Sequence, residues 1–330
     1  MTSTINRTAA YALIYLLSGK KTTADVANEL SDVTLRSIQR AISRLLEIGI
    51  IEKKGRDNNP VYKINYRAVL QLRIAEKFLE DENRPISDFN YELVAWLNKL
   101  KPKELSSLGG GFELSRGPKM SASELERLII ELSWKSSALE GNTYSLLDTQ
   151  LLLSQGLRAK NRTDFETQMI INHKDAVAFI IQNSELFGNN LKFGTVEELH
   201  RIIGYNLGIA SGIRKKQVGV IASNYQPMDS PHQLREYADV ILGIINRTTN
   251  PFTKCLLALA LIPYLQLFED GNKRTGRLLA NAVLINSVGR GFSLRKTDAR
   301  NLALAYLSFY EFNSLQALSA LLKNELSPRP

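Results

Sequence analysis

The sequence is poor in the residues that build disulfides and metal centres. Among 330 residues there are one cysteine, Cys255, and three histidines, His173, His200 and His232. No intramolecular disulfide can form, and no cluster with zinc-ligand spacing can be assembled. Cys255 precedes the apolar run Leu256, Leu257, Ala258, Leu259, Ala260, where a thiol reads as a small buried hydrophobe. Long apolar runs are missing too. That run ends at Phe268 and contains Pro263 and Gln266, short of the roughly 20 apolar residues that span a bilayer. The stretch Tyr11 to Leu17 is brief and lacks a small-residue cleavage site. These absences point to a soluble protein of a reducing compartment, the cytoplasm, with no membrane among its partners. Apolar residues make up 44% and charged residues 23%, which excludes disordered, collagen-like and disulfide-scaffold classes. The length exceeds the roughly 100 to 200 residues of one domain, so two domains, or one large domain with an appendage, are expected.

What the sequence has in excess is positive charge. Lysine and arginine number 42 against 33 acidic residues, a net +9 with a pI near 9.5. Such a balance favours a polyanionic partner, whether nucleic acid, nucleotide or acidic protein, and position must decide among them. Gly19, Lys20, Lys21, Thr22 looks like the end of a P-loop, but it lacks the upstream glycine and the preceding strand that would let backbone amides cradle phosphate.

Residues 1–66 read as three helices followed by a hairpin. Ala9, Leu13, Leu16 and Leu17 form the first apolar face; Thr23 can cap a short helix carrying Val26, Ala27 and Leu30. From Thr34 to Glu47, Leu35, Ile38, Ile42 and Leu45 make one stripe, and the opposite face carries Arg36, Gln39, Arg40 and Ser43. Gly49 is a C-cap, Ile50 to Lys54 a strand, Gly55 to Pro60 a polar turn and Val61 to Ile64 its partner. This order resembles a winged helix-turn-helix. That resemblance implies DNA as a partner, contacted by Arg36, Gln39, Arg40 and Arg44 on the recognition helix and by Lys53, Lys54 and Arg56 on the wing. Residues 67–118 read as a helical connector: one helix through Leu70, Leu72, Ile74 and Phe78, another over Tyr91 to Leu100, and a hinge or loop tip at Gly109, Gly110, Gly111.

Residues 119–330 are helix-rich. The informative segment runs from Gln266 to Arg277, where an apolar helix enters a short polar loop and a second helix begins near Asn272. Backbone N–H groups at such a start, with Lys273, Arg274 and Arg277, suit a polyphosphate, and Asp270 supplies a hard oxygen ligand for Mg²⁺. A solvated helix start is the plainer reading of the same residues.

In register, however, Phe268, Asp270, Gly271, Asn272, Arg274 and Arg277 resemble the Fic/Doc (Fido) signature H-x-F-x-D/E-G-N-G/K-R-x-x-R. Ser136 to Asn142 is similar to that family's S/T-x-x-x-E-G/N inhibitory motif, Gly212 to Pro227 to its strand-turn-strand flap, and Glu197 to Arg201 to the helix before the flap. The resemblance implies a mainly α protein: a winged helix-turn-helix, then an all-α Fido domain with a small β-hairpin flap. The family's usual reaction is transfer of AMP from ATP to a hydroxyl side chain of a target protein, which the flap docks. Carried over, Phe268 anchors the loop, Asp270 holds Mg²⁺, and Asn272 and Arg274 orient phosphates, with Gly271, Lys273 and Gly276 in the same nucleotide-binding turn. Arg277 contacts the γ-phosphate, and Ser136 and Glu140 belong to an inhibitory helix whose glutamate pairs with Arg277.

Two positions depart from the signature. Gln266 stands where the family has its histidine base, and an amide cannot take and hold a proton near neutral pH. Lys273 stands where AMP-transferring members mostly have glycine; in Doc-like members lysine accompanies a reversed nucleotide and phosphate transfer. The expectation is therefore a DNA-binding, nucleotide-responsive regulator with a degenerate transferase centre, taking ATP or another nucleotide and Mg²⁺ as ligands, with a homodimer as its form on DNA. The alternative is a working adenylyltransferase or phosphotransferase.

Overall fold

The computed structural model describes residues 5–55 and 60–327. Along the chain, α1 (Arg7–Leu17), α2 (Thr23–Glu29) and α3 (Leu35–Glu47) lead into β1 (Ile51–Lys54) and β2 (Val61–Ile64). Short helices α4 (Tyr66–Leu70) and α5 (Glu76–Leu79) follow, then β3 (Ser87–Asp88), α6 (Tyr91–Lys99) and α7 (Pro102–Ser106). Next come α8 (Ala122–Ala138), α9 (Leu146–Gln155), α10 (Asp164–Gln182), α11 (Phe193–Gly204) and β4 (Tyr225–Gln226). The chain closes with α12 (Pro231–Arg247), α13 (Pro251–Leu265), α14 (Asn272–Val288), α15 (Ala299–Phe312) and α16 (Gln316–Leu326). It is mainly helical, as expected, and divides into two compact units.

The first unit comprises residues 1–96, 219–228 and 302–320. Helices α1, α2 and α3 pack on one another, burying Leu13 and Leu16 from α1, Val26 from α2, and Ile38, Ile42 and Leu45 from α3. Leu35 does not join that stripe: at the first helical residue it is 54% exposed. The cap of α2 is Thr22 rather than Thr23. Its hydroxyl accepts from Asp25 N, and Asp25 accepts from Thr22 N at 2.9 Å, a reciprocal box. Thr23 is instead bonded to the Tyr62 hydroxyl at 2.9 Å. Gly49, at φ +74°, ends α3 by letting Ile50 N reach back to Leu45 O at 2.9 Å, a turn that only a residue comfortable in the left-handed region takes cheaply. The hairpin is antiparallel, Ile51 opposite Ile64 and Lys54 opposite Val61.

The connector expectation needs correcting in this unit. Of the apolar positions from Leu70 to Phe78, Leu70 ends α4 and Phe78 lies in α5, while Leu72 and Ile74 fall in the irregular segment between the two helices. The flap expectation needs correcting as well. Within Gly212–Pro227 the strand is Tyr225–Gln226, and it pairs in parallel with Ser87–Asp88 instead of closing a hairpin on itself. Among the described residues the antiparallel hairpin is β1–β2. A buried ion pair stands beside β4: Arg84 Nε meets Glu311 Oε2 at 2.6 Å. Glu311 Oε1 also accepts from Ser223 Oγ at 2.8 Å and Asn224 N at 3.0 Å, so its charge is matched on every side.

The second unit comprises residues 97–218, 229–301 and 321–330. Its spine is α13 against α14, with α12, α11 and α10 around them and α8 on α10. Helix α13 is buried from Phe252 to Leu265 and apolar on all sides from Cys255 onward, which is what a helix surrounded by others requires. Cys255 lies within it, and burial pushes its thiol well above the usual range. The glycine run at 109–111 is no loop tip at its first member. Gly109 is buried, and a Cβ there would come within 2.3 Å of Thr253 Oγ1 and 2.9 Å of Phe252.

Candidate nucleotide site

The site lies in the second unit, at the junction of α13 and α14. Helix α13 ends at Gln266, whose backbone turns left-handed at φ 49°, ψ 54°. The loop then carries Leu267 and Phe268 into the core and exposes Glu269 and Asp270. Gly271, at φ +79°, is the N-cap of α14, and no side chain caps that helix. The first-turn N–H groups, the part of a helix that carries partial positive charge, are thus left to a ligand. Gly276 explains how the two helices approach so closely: a Cβ there would sit 2.5 Å from Pro263 Cγ.

The loop is held by side chains reaching back to its own backbone. Asn272 Oδ1 accepts from Phe268 N at 3.0 Å, and its Nδ2 donates to Phe268 O at 2.8 Å. Phe268 stacks on His200, ring centroids 3.6 Å apart and 8° from parallel, while His200 Nε2 donates to Asp270 O at 2.9 Å. Since a carbonyl only accepts, Nε2 carries the proton, and burial lowers the histidine's pKa so that the ring stays neutral. Arg214, buried, anchors the other side: Nε donates to Gln266 O at 2.6 Å, and Nη1 to Lys216 O at 2.7 Å and Asp229 Oδ1 at 2.9 Å.

Gln266 is itself bonded at both polar ends. Nε2 donates to Pro263 O at 2.7 Å, and Oε1 accepts from Asn272 Nδ2 at 3.2 Å. The side chain braces the turn.

The charged groups fall into two sets. Asp270, with its side chain two-thirds exposed, accepts from Gly271 N at 2.5 Å and from Arg274 Nη2 at 2.8 Å. Arg274 is buried and its Nη1 has no partner among the described residues. Burial lowers its pKa despite Asp270. An orphaned guanidinium donor beside an exposed carboxylate suits a polyphosphate oxygen with a divalent cation, because Mg²⁺ commonly takes one or two carboxylates together with substrate phosphates. Lys273 is half-buried next to them.

Arg277, one turn further and buried, faces α8. Nη2 meets Glu140 Oε1 at 2.7 Å and donates to Ser136 O at 3.1 Å, while Nε donates to Ser136 Oγ at 3.0 Å. The paired Ser136 and Glu140 expected from the sequence are therefore both on Arg277. Gly141, at φ +90°, gives the sharp exit from α8 that places Glu140. Asn142 fixes the exit by donating to Glu166 O at 2.8 Å. Glu166 accepts from Thr143 and Thr163, which hold its carboxyl down at about 2.

Three groups to which sequence reasoning gave no role in the site belong here: Arg214, within the expected flap, His200, within the expected helix before it, and His173. His173 is wholly buried on α10, in line with Met169, Ile170, Ala176 and Val177. A ring with two polar nitrogens in that stripe is the signal a sequence offers. Arg214 lies in an irregular segment, where periodicity carries none.

In the first unit, Arg36, Gln39 and Arg40 are exposed on α3 and bonded to no other described residue, whereas Arg44 is paired with Glu47 at 2.7 Å. Lys53 and Lys54 are exposed on β1. Arg56 lies outside the described residues.

Comparison with known proteins places this geometry in a class. Residues 190–284 match the Fic/DOC family, so the chain carries a Fic/Doc domain that includes α11, the flap segment, α13 and the loop to Arg277. Over 210 residues it is 22% identical to the protein adenylyltransferase Fic of Nematostella vectensis, covering 61% of this chain and 46% of that one. Over 156 residues it is 24% identical to protein adenylyltransferase fic-1 of Caenorhabditis elegans, covering 46% and 30% respectively. The chain thus spans less than half the length of these relatives. Among solved structures, Fic-1 from C. elegans superposes with a TM-score of 0.56 at 18% identity over 95% of this chain and 88% of its own. A Fic domain containing signaling protein from Bacteroides thetaiotaomicron gives 0.52 at 21% identity over 72% and 92%. These two likenesses establish the fold. No helix among the described residues is long and apolar enough to cross a membrane.

Proposed function

We propose that the chain is a DNA-binding regulator whose Fic domain holds a Mg²⁺-nucleotide without transferring any part of it. The observation that carries this reading is Gln266. Both polar ends of its side chain are taken by Pro263 O and Asn272 Nδ2, and an amide has no lone pair basic enough to take a hydroxyl proton near neutral pH. A missing general base costs about 10² to 10⁴-fold in rate. ATP is the nucleotide class favoured by the adenylyltransferase relatives. Asp270 would hold Mg²⁺, which neutralises phosphate charge when bound. Arg274 Nη1, Lys273 and the first-turn N–H groups of α14 from Asn272 onward take phosphate oxygens, Gly271 turns the chain into that helix with its own N–H on Asp270, and the absence of a Cβ at Gly276 keeps the turn against α13. Arg277 takes the terminal phosphate when Glu140 leaves it. The segment 1–66 contacts DNA through Arg36, Gln39, Arg40 and the lysines of β1, with two copies reading two half-sites; residues 67–118 connect it to the Fic domain from 119 onward.

A second reading is favoured by the relatives themselves, which are named protein adenylyltransferases: transfer to a protein hydroxyl docked at 212–227. One experiment separates the two. The natural chain and a Gln266→His, Glu140→Gly variant are incubated with α- and γ-labelled ATP and cell extract. Label on the variant alone supports the degenerate site, and comparable label on both establishes the transferase. No label on either, with Mg²⁺-ATP still bound in calorimetry, leaves the chain a nucleotide-binding module. No nucleotide binding overturns the site altogether.

A further inference from the structure

We propose that His173 is a positioning residue for Arg277: it takes the Ser136 hydroxyl proton at Nε2 as a hydrogen bond, turns the Ser136 oxygen toward Arg277 Nε–H, and so keeps the guanidinium in place when Glu140 releases it. This inference rests on the nucleotide reading above and adds to it a residue that neither the Fic signature nor the inhibitory motif contains.

The chain of donors and acceptors admits one direction. His173 Nδ1 lies 2.9 Å from Met169 O. That oxygen only accepts, so Nδ1 bears the ring proton. The ring is completely buried and lies near two guanidinium groups, Arg274 and Arg277; burial first and those charges after it push its pKa down to about 3. The neutral ring therefore offers a lone pair at Nε2. Ser136 Oγ, 2.9 Å away, must be the donor there. A hydroxyl has one proton, so toward Arg277 Nε at 3.0 Å the same oxygen can only accept. Ser137 Oγ, 3.3 Å from Nδ1, is a secondary acceptor of the ring proton.

Arg277 is thus held by two kinds of tie. Its bonds to Ser136 Oγ and O are buried and directional. Its pairing with Glu140 involves a side chain that is 26% exposed and can reach water. Removing Glu140 leaves the first kind intact. Removing His173 leaves the buried Ser136 hydroxyl proton without its acceptor and the oxygen free to turn, so the bond from Arg277 Nε is no longer fixed in direction.

The test uses the full-length Glu140→Gly protein as parent and measures Mg²⁺-ATP and AMP binding by calorimetry, since AMP has no terminal phosphate for Arg277. His173→Leu should weaken ATP about tenfold, the scale of one orphaned buried hydrogen bond, and shift AMP less than about twofold. His173→Gln, which retains a donor and an acceptor, should recover most of the loss. Ser136→Ala should reproduce the His173→Leu loss, and the two together should add nothing; this variant also carries the test if His173→Leu is shown by circular dichroism not to fold. An unchanged ATP to AMP ratio in the folded variants, or equal losses for both nucleotides, overturns the positioning role. Failure of the parent to bind either nucleotide instead overturns the nucleotide reading and takes this inference with it.

Discussion

The loop from Gln266 to Arg277 and the outer face of α3 both present arginines, and they treat them in opposite ways. In the loop, Arg274 and Arg277 are buried and tied to named partners, Arg274 to Asp270 and Arg277 to Glu140 and Ser136, with Arg274 Nη1 left over. On α3, Arg36 and Arg40 are exposed and bonded to no other described residue. A buried arginine is expensive to desolvate unless its partners are fixed, so the loop's geometry is specified before any ligand arrives. Exposed arginines cost nothing to keep and take their geometry from whatever they meet. The first region is suited to recognising one small anion, the second to a repeating polyanion.

The largest effect that would sharpen this contrast concerns stability. Leu257→Ala, in the fully buried middle of α13, should cost about 2 to 5 kcal/mol by transfer and cavity terms. Leu35→Ala at the start of α3 should stay within about 0.5 kcal/mol. Urea midpoints of the two variants check it, and similar losses would mean that α3 is covered in solution.

Next in size is the exposed face itself. In the full chain, Arg36→Ala with Arg40→Ala should weaken duplex DNA binding about tenfold or more at low salt. It should also reduce the slope of log affinity against log salt by about 2, since each arginine removed leaves one phosphate with its counterion, while Mg²⁺-nucleotide binding is unchanged. Gel shifts across a salt series decide it, and equal binding by both proteins removes DNA from the account.

The buried region should announce itself by pH. His173 has a folded pKa of about 3 against an ordinary 6.5, so below 6.5 the unfolded chain binds a proton that the folded chain refuses. Stability from this group is complete above 6.5 and falls as pH drops toward 3. His200 is shifted in the same direction. At pH 5 the loss from His173 is on the order of 2 kcal/mol relative to pH 7. A His173→Gln variant should show a flatter profile in urea titrations; parallel profiles would place this histidine in water.

The smallest effect is at the edge of the buried network. Glu140→Gly should tighten Mg²⁺-ATP about fivefold, a modest gain because the carboxylate it removes is partly exposed and its pairing partly screened. Calorimetry on both proteins checks the sign, and equal affinities would separate Glu140 from the nucleotide.

The same contrast governs what the sequence makes legible. Helix α3 announces itself because its apolar residues follow helical spacing, and α13 because its apolar run is unbroken and longer than a strand, while Ser136, Glu140 and Arg277 meet because short motifs preserve register across a fold. Thr22 displaces Thr23 as a cap in a contest decided at a single residue, in which the Tyr62 hydroxyl takes Thr23. Tyr225–Gln226 escapes prediction because its partner, Ser87–Asp88, is far away in sequence and two residues carry no periodicity. Arg214 and His173 are not legible as site residues, since each acquires its role from carbonyl and hydroxyl groups that tertiary packing brings to it.

The left-handed turn at position 266 has an evolutionary corollary. Its backbone is imposed from outside, by Arg214 on the carbonyl and by the close fit of Pro263 against Gly276, and a non-glycine residue there bears about 1 kcal/mol of conformational cost whatever its side chain. The backbone cost of the position is therefore the same for either of two flat polar side chains. Glutamine and histidine codons differ at one base. A lineage carrying this loop stands a single mutation away from placing an imidazole at the head of the proposed anion site, at the cost of the two bonds by which the glutamine amide braces the turn.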